Sequence, residues 1–346
     1  MSANIADIKT HTFDNGEDTA SWSSTTRSAL DALRPHLPTS LPLYRRLQFG
    51  HFTNTSTILT NLDFGKHDRQ GIFHADAQGR DWLISYVDRS CRPETEALIF
   101  ANWETATHGE AASEDQESQM TLMNAFAREA KRLPLPPSQH PEVADSMAAS
   151  PGDITFGAVH ERTAAMMRRA RVLHVPVLPN DGISIPFGMF IFRLGGQHAE
   201  DQDTVRTDEG LTTGLRWGHL EPAHLAIVRA RTPYPRLERT MAIMPNVGIF
   251  SDGQEDPIAW ALIGLDGSLT SLHVEADWRR RGLGVLTAQK MFRDGMEVFW
   301  ANDEASGPRF AHAYVAKGNI ASEKLLHSAK GALGWNVHWI HTNLGA

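Results

Sequence analysis

The sequence predicts an α+β fold with helices packed around a β-sheet, and three observations carry that prediction. From residue 211 onward the apolar pattern runs strand, helix, helix, three strands, helix, strand, helix, strand. Between residues 43 and 103, short β-tolerant runs alternate with Gly/Asp turns. At Ser268–Leu286, SLTSLHVEADWRRRGLGVL, an apolar strand passes through a basic turn with two glycines straight into a helix.

Composition bounds the function. At 346 residues, 41% hydrophobic and 21% charged, the chain is long enough for two globular domains. A net charge of -8 argues against a nucleic-acid partner, since nonspecific binding needs a basic surface. The single cysteine, Cys91, excludes an internal disulfide and a cysteine-based zinc site, which fits a reducing compartment. Among 17 histidines there is no H-E-x-x-H, because Arg162-Thr163-Ala164 follow His160-Glu161, so no metal is expected. The polar, acidic start and the lack of a transmembrane-length apolar run lead to the expectation of a cytoplasmic monomer or homodimer with no membrane partner.

In chain order, residues 1–22 are expected to form a disordered tail. Ser23 or Ser24 caps a helix to about His36, with Leu30 and Leu33 inward. Residues 43–52 read as a strand, Asn54 or Thr55 as the start of a short helix, and Gly71–His74, Trp82–Val87 and Ala97–Trp103 as strands. Thr105–Gln119 is polar and acidic, an expected exposed loop, and helical spacing returns from Gln119 to Leu133 until the following prolines stop it. Glu161–Arg171 predicts a helix with Met166 and Met167 packed inward. Val172–Leu178 and Ile183–Leu194 read as strands or extended loops. The acidic stretch 198–210 is the expected linker, dividing a first domain over 23–205 from a second over 206–346. The second begins with strand Leu211–Trp217, helices Pro222–Arg231 and Pro235–Met244, and strands Val247–Phe250, Ile258–Leu265 and Leu269–Val274. A long helix to about Trp300, strand Phe310–Val315, helix Ile320–Lys330 and strand Val337–Thr342 complete it.

The turn after Val274 carries the chemistry. In Arg279-x-x-Gly282-x-Gly284 the glycines permit a tight turn and leave backbone N–H groups unobstructed. Those groups lie at the positive end of the helix dipole, where phosphate oxygens bind. Arg279, Arg280 and Arg281 add guanidinium forks suited to phosphate. A solvated arginine cluster at an ordinary turn is the plainer alternative.

This turn resembles the Q/R-x-x-G-x-G/A pattern with which GNAT-type acyltransferases hold the pyrophosphate of coenzyme A. More narrowly, Pro257-Ile258-Ala259-Trp260-Ala261-Leu262, Asp266-Gly267, Asp277-Trp278-Arg279, the spacing of Val315 and Asn319, and residues 33–49 resemble the glycine N-acyltransferase-like branch. The resemblance implies a mixed, mostly antiparallel central sheet flanked by helices. It also implies an N-terminal half that is itself a diverged GNAT-like sheet; an unrelated α+β cap is the alternative. It implies acetyl-CoA or another acyl-CoA as co-substrate and direct transfer to a small-molecule amine. By the same resemblance, Arg279, Arg280, Arg281, Gly282, Leu283 and Gly284 cradle the pyrophosphate, Asn319 and Ser322 border the pantetheine arm, and backbone N–H groups at Leu272 to Val274 face the thioester oxygen.

Direct transfer needs a group to take the ammonium proton. Where the family has a glutamate this sequence has Ser268, and the family's helix tyrosine is missing beside Leu326 and His327. The catalytic candidates are therefore His273, Glu275, Ser268 and Tyr314, with Asp266 nearby. His273 needs the least tuning near pH 7; an ordinary hydrogen-bonded strand histidine and proton loss through water both stay open. Cys91 as an acyl-carrying nucleophile lies outside the motif. Two functions follow: an acyl-CoA-dependent N-acyltransferase acting on a small molecule or amino acid, or a diverged GNAT fold that binds CoA or an acyl carrier without transfer.

Overall fold

A computed structural model describes residues 7–13, 23–68, 71–75, 80–105, 113–137, 150–173, 185–195, 211–232, 234, 236–300 and 308–344. The chain forms two compact units, one of Met1–Pro186 with Asn336–Ala346 and one of Phe187–Trp335. The expected linker 198–210, and most of the expected tail, lie outside the described residues.

In the first unit β1 (Lys9–Thr12), β2 (Ser56–Thr60), β3 (Leu83–Asp88), β4 (Ala97–Ala101) and β5 (Asp153–His160) lie side by side in sequence order. Neighbours are antiparallel except β4 and β5, which are parallel. The last residues of β12 (Ala332–Asn343) complete this sheet, antiparallel to β5 from Val337↔His160 to Asn343↔Asp153. Helices α1 (Ser24–Leu33), α2 (Leu41–Phe49), α3 (Ser113–Arg132) and α4 (Glu161–Arg169) accompany it. Ser23 caps α1, its hydroxyl accepting the Thr26 N–H at 3.2 Å. Phe126 of α3, Phe156 of β5, Met167 of α4 and Ile340 of β12 meet in one core.

Several expectations fail here for physical reasons. Residues 43–52 do not form a strand: most belong to α2, in which every residue is buried, so no polar face displays the helical period. Arg46 is accommodated there by donating to the Tyr86 hydroxyl and the Gly50 carbonyl. The segment beginning at Asn54 and Thr55 leads into strand β2, not a helix, and the Thr53 and Thr55 hydroxyls bind Asp88 instead. Gly71–His74 contributes only the isolated bridge His67↔Phe73. Residues 113–119 belong to α3, not to an exposed loop. Lys9–Thr12, inside the expected tail, forms an edge strand whose letters, KTHT, contain no apolar residue to betray it.

The second unit follows the expected order: β7 (Leu215–Gly218), α5 (Pro222–Arg231), α6 (Glu238–Ala242), β8 (Asn246–Ser251), β9 (Pro257–Ile263), β10 (Ser268–Val274), α7 (Leu283–Lys290), α8 (Glu297–Trp300), β11 (Arg309–Ala316) and α9 (Ile320–Ser328). Its sheet order is β6 (Phe187–Leu194), β11, β10, β9, β8, β7, with the first residues of β12 beside β6. Only β10 and β11 are parallel among the pairs from β6 to β7. The helix expected over 235–244 is shortened to α6, and the long helix expected to Trp300 is interrupted by a π turn at Met291–Gly295, where Met291 leaves no room for a Cβ on Gly295. Trp260 and Leu262 bury one sheet face against Leu225 and Val228 of α5 and Met241 of α6. Ile249 and Ala259 bury the other against Leu283 of α7. The sheets are thus mixed and mostly antiparallel, and each half of the sequence gives its final strand to the other unit's sheet.

Candidate active site

β10 and β11 pair only at Ser268↔His312 and Leu269↔Ala313. Both strands continue, to Val274 and Ala316, without further pairing, so they open a V toward their C-terminal ends. On its other edge β10 stays paired to β9 with a shift of register between Thr270 and His273, and Ser271 there has φ 52°. Such a bulge turns backbone groups out of the ladder.

Beyond the V, Gly282 begins α7 in the left-handed conformation with φ 79°. A Cβ at Gly282 would meet nothing within 4 Å, so backbone conformation and not crowding calls for glycine, and the space in front of the helix is open. No side chain caps α7. Gly284 is small for another reason: Leu325 of α9 lies 2.6 Å from where its Cβ would stand. Arg279 donates to the Val274 carbonyl at 2.9 Å, and Arg281 donates to the Asp277 carbonyl at 3.0 Å while lying over the Trp278 ring. Arg279, Arg280 and Arg281 are exposed around the turn. At the start of α9 the Asn319 side chain accepts the Ser322 N–H at 3.2 Å, which makes Asn319 the cap of that helix.

The catalytic candidates separate into two groups. At the closed end of the V, Asp266 accepts from the Ser268 hydroxyl at 2.6 Å and from Tyr314 at 3.1 Å, and His312 Nε2 lies 3.0 Å from the Tyr314 hydroxyl. Burial and the Asp266 carboxylate hold the Tyr314 phenol well above its ordinary range, so it is neutral. Toward the open end, His273 stacks on Trp260 with ring centroids 4.7 Å apart. Its Nε2 is buried with no hydrogen-bond partner among the described residues and stands 3.6 Å from Glu275. The other Glu275 oxygen accepts from Arg231 at 2.9 Å. Burial lowers the His273 pKa from 6.5 against the opposing pull of Glu275, leaving a neutral ring at neutral pH.

Sequence reasoning missed His312. Its position opposite Ser268 is a matter of strand register across more than forty residues, and no local spacing signals it. Cys91 is half-buried, with desolvation pushing its thiol up to about 12, and so lacks the thiolate a nucleophile needs. His160 caps α4, and no metal-binding cluster occurs among the described residues. A surface pocket of about 650 Å³ lined by Trp217, Asn246, Lys290 and Asp294 includes none of the catalytic candidates.

The two units and the opened strand pair define a protein of the GNAT acyltransferase fold. Residues 14–197 match the family described as the acyl-CoA N-acyltransferase verG N-terminal domain, and the chain belongs to that family. No curated protein matches the sequence. Among solved structures, the chain is similar to a Drosophila structural-genomics protein at 16% identity and a TM-score of 0.57, over 94% of this chain and 98% of that one. It is also similar to a tandem GNAT protein from the clavulanic acid biosynthesis pathway, solved without acetyl-CoA (10% identity, TM-score 0.49, 98% and 99% covered). A GCN5-related N-acetyltransferase from Sphaerobacter thermophilus gives 10% identity and a TM-score of 0.46, with 97% and 96% covered.

Proposed function

We propose that this chain is an acyl-CoA:amine N-acyltransferase that moves an acetyl or other acyl group directly from coenzyme A to the amine of a small molecule or amino acid. The observation that carries this reading is the parallel pair that opens after Leu269, followed at once by an uncapped helix that starts on a left-handed glycine. The opening suits an extended pantetheine arm, and the helix start suits a pyrophosphate. The residues fit the co-substrate: Gly282 leaves space, the N–H groups of Leu283 and Gly284 are offered to phosphate oxygens, and Arg279, Arg280 and Arg281 supply compensating charge. Asn319 and Ser322 border the arm. Backbone N–H groups at Leu272 to Val274, beside the bulge, stabilise the oxyanion of the tetrahedral intermediate.

In this mechanism His273 Nε2 takes a proton from the acceptor's ammonium, in the tautomer protonated on Nδ1. The freed amine attacks the thioester carbonyl, the new C–N bond forms, and the C–S bond breaks as the intermediate collapses. The second N–H proton leaves with the thiolate. Glu275 stabilises the imidazolium, while Ser268 and Tyr314, held by Asp266, fix the closed end of the V. Among the described residues no helix is long and apolar enough to cross a membrane; the reading places the reaction in the cytoplasm, without a membrane or nucleic-acid partner.

A thiol-release screen crossing acyl-CoAs with amines, run beside titration calorimetry with acetyl-CoA, tests the proposal. Acceptor-dependent release is the expected result. Binding without release across the panel establishes instead a CoA-binding module, the reading favoured by Ser268 standing where the family's glutamate belongs.

A further inference from the structure

Ser271 has two features that an ordinary strand residue lacks. Thr270 stands opposite Leu262 and His273 opposite Trp260, so Ser271 and Leu272 together oppose Ala261. That is the count of a β-bulge, and its first residue, Ser271, is left-handed with φ 52°. Bulges with a left-handed first residue ordinarily place glycine there, because an L side chain crowds its own backbone in that conformation. A short polar side chain eases the strain when it bonds locally, and Ser271 does not. Its Oγ is buried with no hydrogen-bond partner among the described residues, which include all of β9, β10 and β11. A buried donor without an acceptor is a second unfavourable feature on the same residue. Glycine would remove both.

The place of this residue in the V says what a hydroxyl does there that glycine cannot. Ser271 is the second residue of β10 beyond its last pair with β11, on the open part of the V. In the proposed reaction the pantetheine arm lies along this stretch, and the backbone N–H groups at Leu272 to Val274 follow at once. A hydroxyl turns about its C–O bond and aims its proton without moving the backbone. The thioester carbonyl offers an acceptor oxygen, and the tetrahedral intermediate makes that oxygen an anion, which a fixed donor in a dry site stabilises most. Ser271 has no protein bond to give up in exchange, so the bond to that oxygen is a net gain.

We propose that Ser271 is a further catalytic residue, whose hydroxyl donates a hydrogen bond to the carbonyl oxygen of the acyl thioester and to the oxyanion formed from it. The inference rests on the transferase reading above and adds a side-chain donor to the backbone donors of that site. Ser271 keeps its proton throughout: the two amine protons leave to His273 and with the thiolate, and no bond to Oγ is made or broken. The same hydrogen bond sorts the co-substrate. Free CoA lacks the thioester carbonyl, so Ser271 favours the loaded carrier over the spent one.

The test uses the full chain and two variants that part catalysis from stability. Ser271→Gly removes the hydroxyl and relieves the backbone, so its urea midpoint should equal or exceed the native one; Ser271→Ala removes the hydroxyl and keeps the strain. Both should lower kcat by about a hundredfold and leave the acceptor KM and the affinity for free CoA unchanged. Turnover that instead follows stability, native in Ser271→Gly and reduced only in Ser271→Ala, assigns the serine a structural role and overturns the proposal. Calorimetry should show acetyl-CoA binding tighter than CoA by about two- to tenfold in the native chain, with that margin narrowed in both variants; an unchanged margin counts against the bond. Infrared spectra of acetyl-CoA labelled with carbon-13 at the thioester carbonyl give a readout without turnover. Binding to the native chain should lower the carbonyl stretch, and the shift should shrink in Ser271→Gly. If acetyl-CoA binds but no acceptor releases thiol, the transferase reading fails separately, and the infrared shift alone decides: a smaller shift in the variant upholds the bond, and an equal shift overturns it. A native chain that binds no acetyl-CoA overturns both.

Discussion

At His273 two influences oppose each other. Burial strips water from the imidazolium and lowers the pKa from 6.5, while Glu275 draws it back; burial is the larger, so the ring sheds its proton below the ordinary value. A base must be neutral to work, so activity should be full at neutral pH and fall only on acidification below 6.5. His273→Ala should lower turnover by about a hundredfold or more and remove that acid limb, with CoA affinity intact. Glu275→Gln, which removes the opposing attraction, should move the limb further toward acid. A pH–rate profile whose acid limb is unchanged in both variants assigns proton removal to another group. At Gly282 the argument is one of conformation and charge together. Gly282→Asp puts a side chain on a left-handed residue, at about 1 to 2 kcal/mol, and a carboxylate where phosphate oxygens need bare N–H groups. A folded variant that gives no heat with CoA by titration calorimetry is the expected result, and unchanged affinity refutes the assigned role of the turn.

At the scale of elements, legibility depended on whether a segment kept a polar side. Helix α5, with an exposed face and Pro222 at its start, lies where the sequence places it, as does the strand, turn and helix from Ser268 onward. Helix α2 was misread because burial of Arg45 and Arg46 erases its period, and β5 passes into α4 with no turn residue between them. The Arg279–Gly284 segment was legible as the turn between a strand and a helix because its glycine pattern is local. The grouping of Asp266, Ser268, His312 and Tyr314 was not, because register brings it together. The loop after β4 makes a further prediction. Glu104 is buried, and its bonds from Thr163 and the Ala101 N–H do not offset desolvation, so its pKa is pushed up to about 8 from 4.5. The folded chain then holds a proton that the unfolded chain releases between those values. Its stabilising effect is full below about 4.5 and is lost as pH rises through about 8, by at most on the order of 5 kcal/mol. Glu104→Gln keeps an acceptor for Thr163 without the charge, so it should abolish this loss; urea midpoints compared at pH 5 and pH 9 check it, and an equal decline in both proteins counts against it.

For the whole molecule, the exchange of final strands decides what can fold alone. The last eleven residues, 336–346, belong to the first unit, where β12 completes the sheet beside β5 and buries Val337 and Ile340, at 1% and 0% exposure. Conversely β6, early in sequence, belongs to the second unit, where it pairs with β11 from Arg309↔Leu194 to Ala316↔Phe187. A piece spanning 206–346 therefore contains every strand that the sequence pattern suggests for a complete domain and still lacks β6, one of the two neighbours of β11. A chain ending at residue 335 strips β5 of one of its two partners, exposes an edge, and removes the core side chains of Val337, Ile340 and Leu344 at about 2 to 5 kcal/mol each, against a typical total stability of about 5 to 15 kcal/mol. The damage should appear far from the deletion in sequence. Hydrogen exchange on this truncated chain should show protection lost over β3 to β5, within 83–160, and retained over β8 to β10, within 246–274. The milder Ile340→Ala should weaken the same first-unit strands without unfolding the chain. Protection that persists at 153–160 after truncation shows that β12 does not hold the first sheet together.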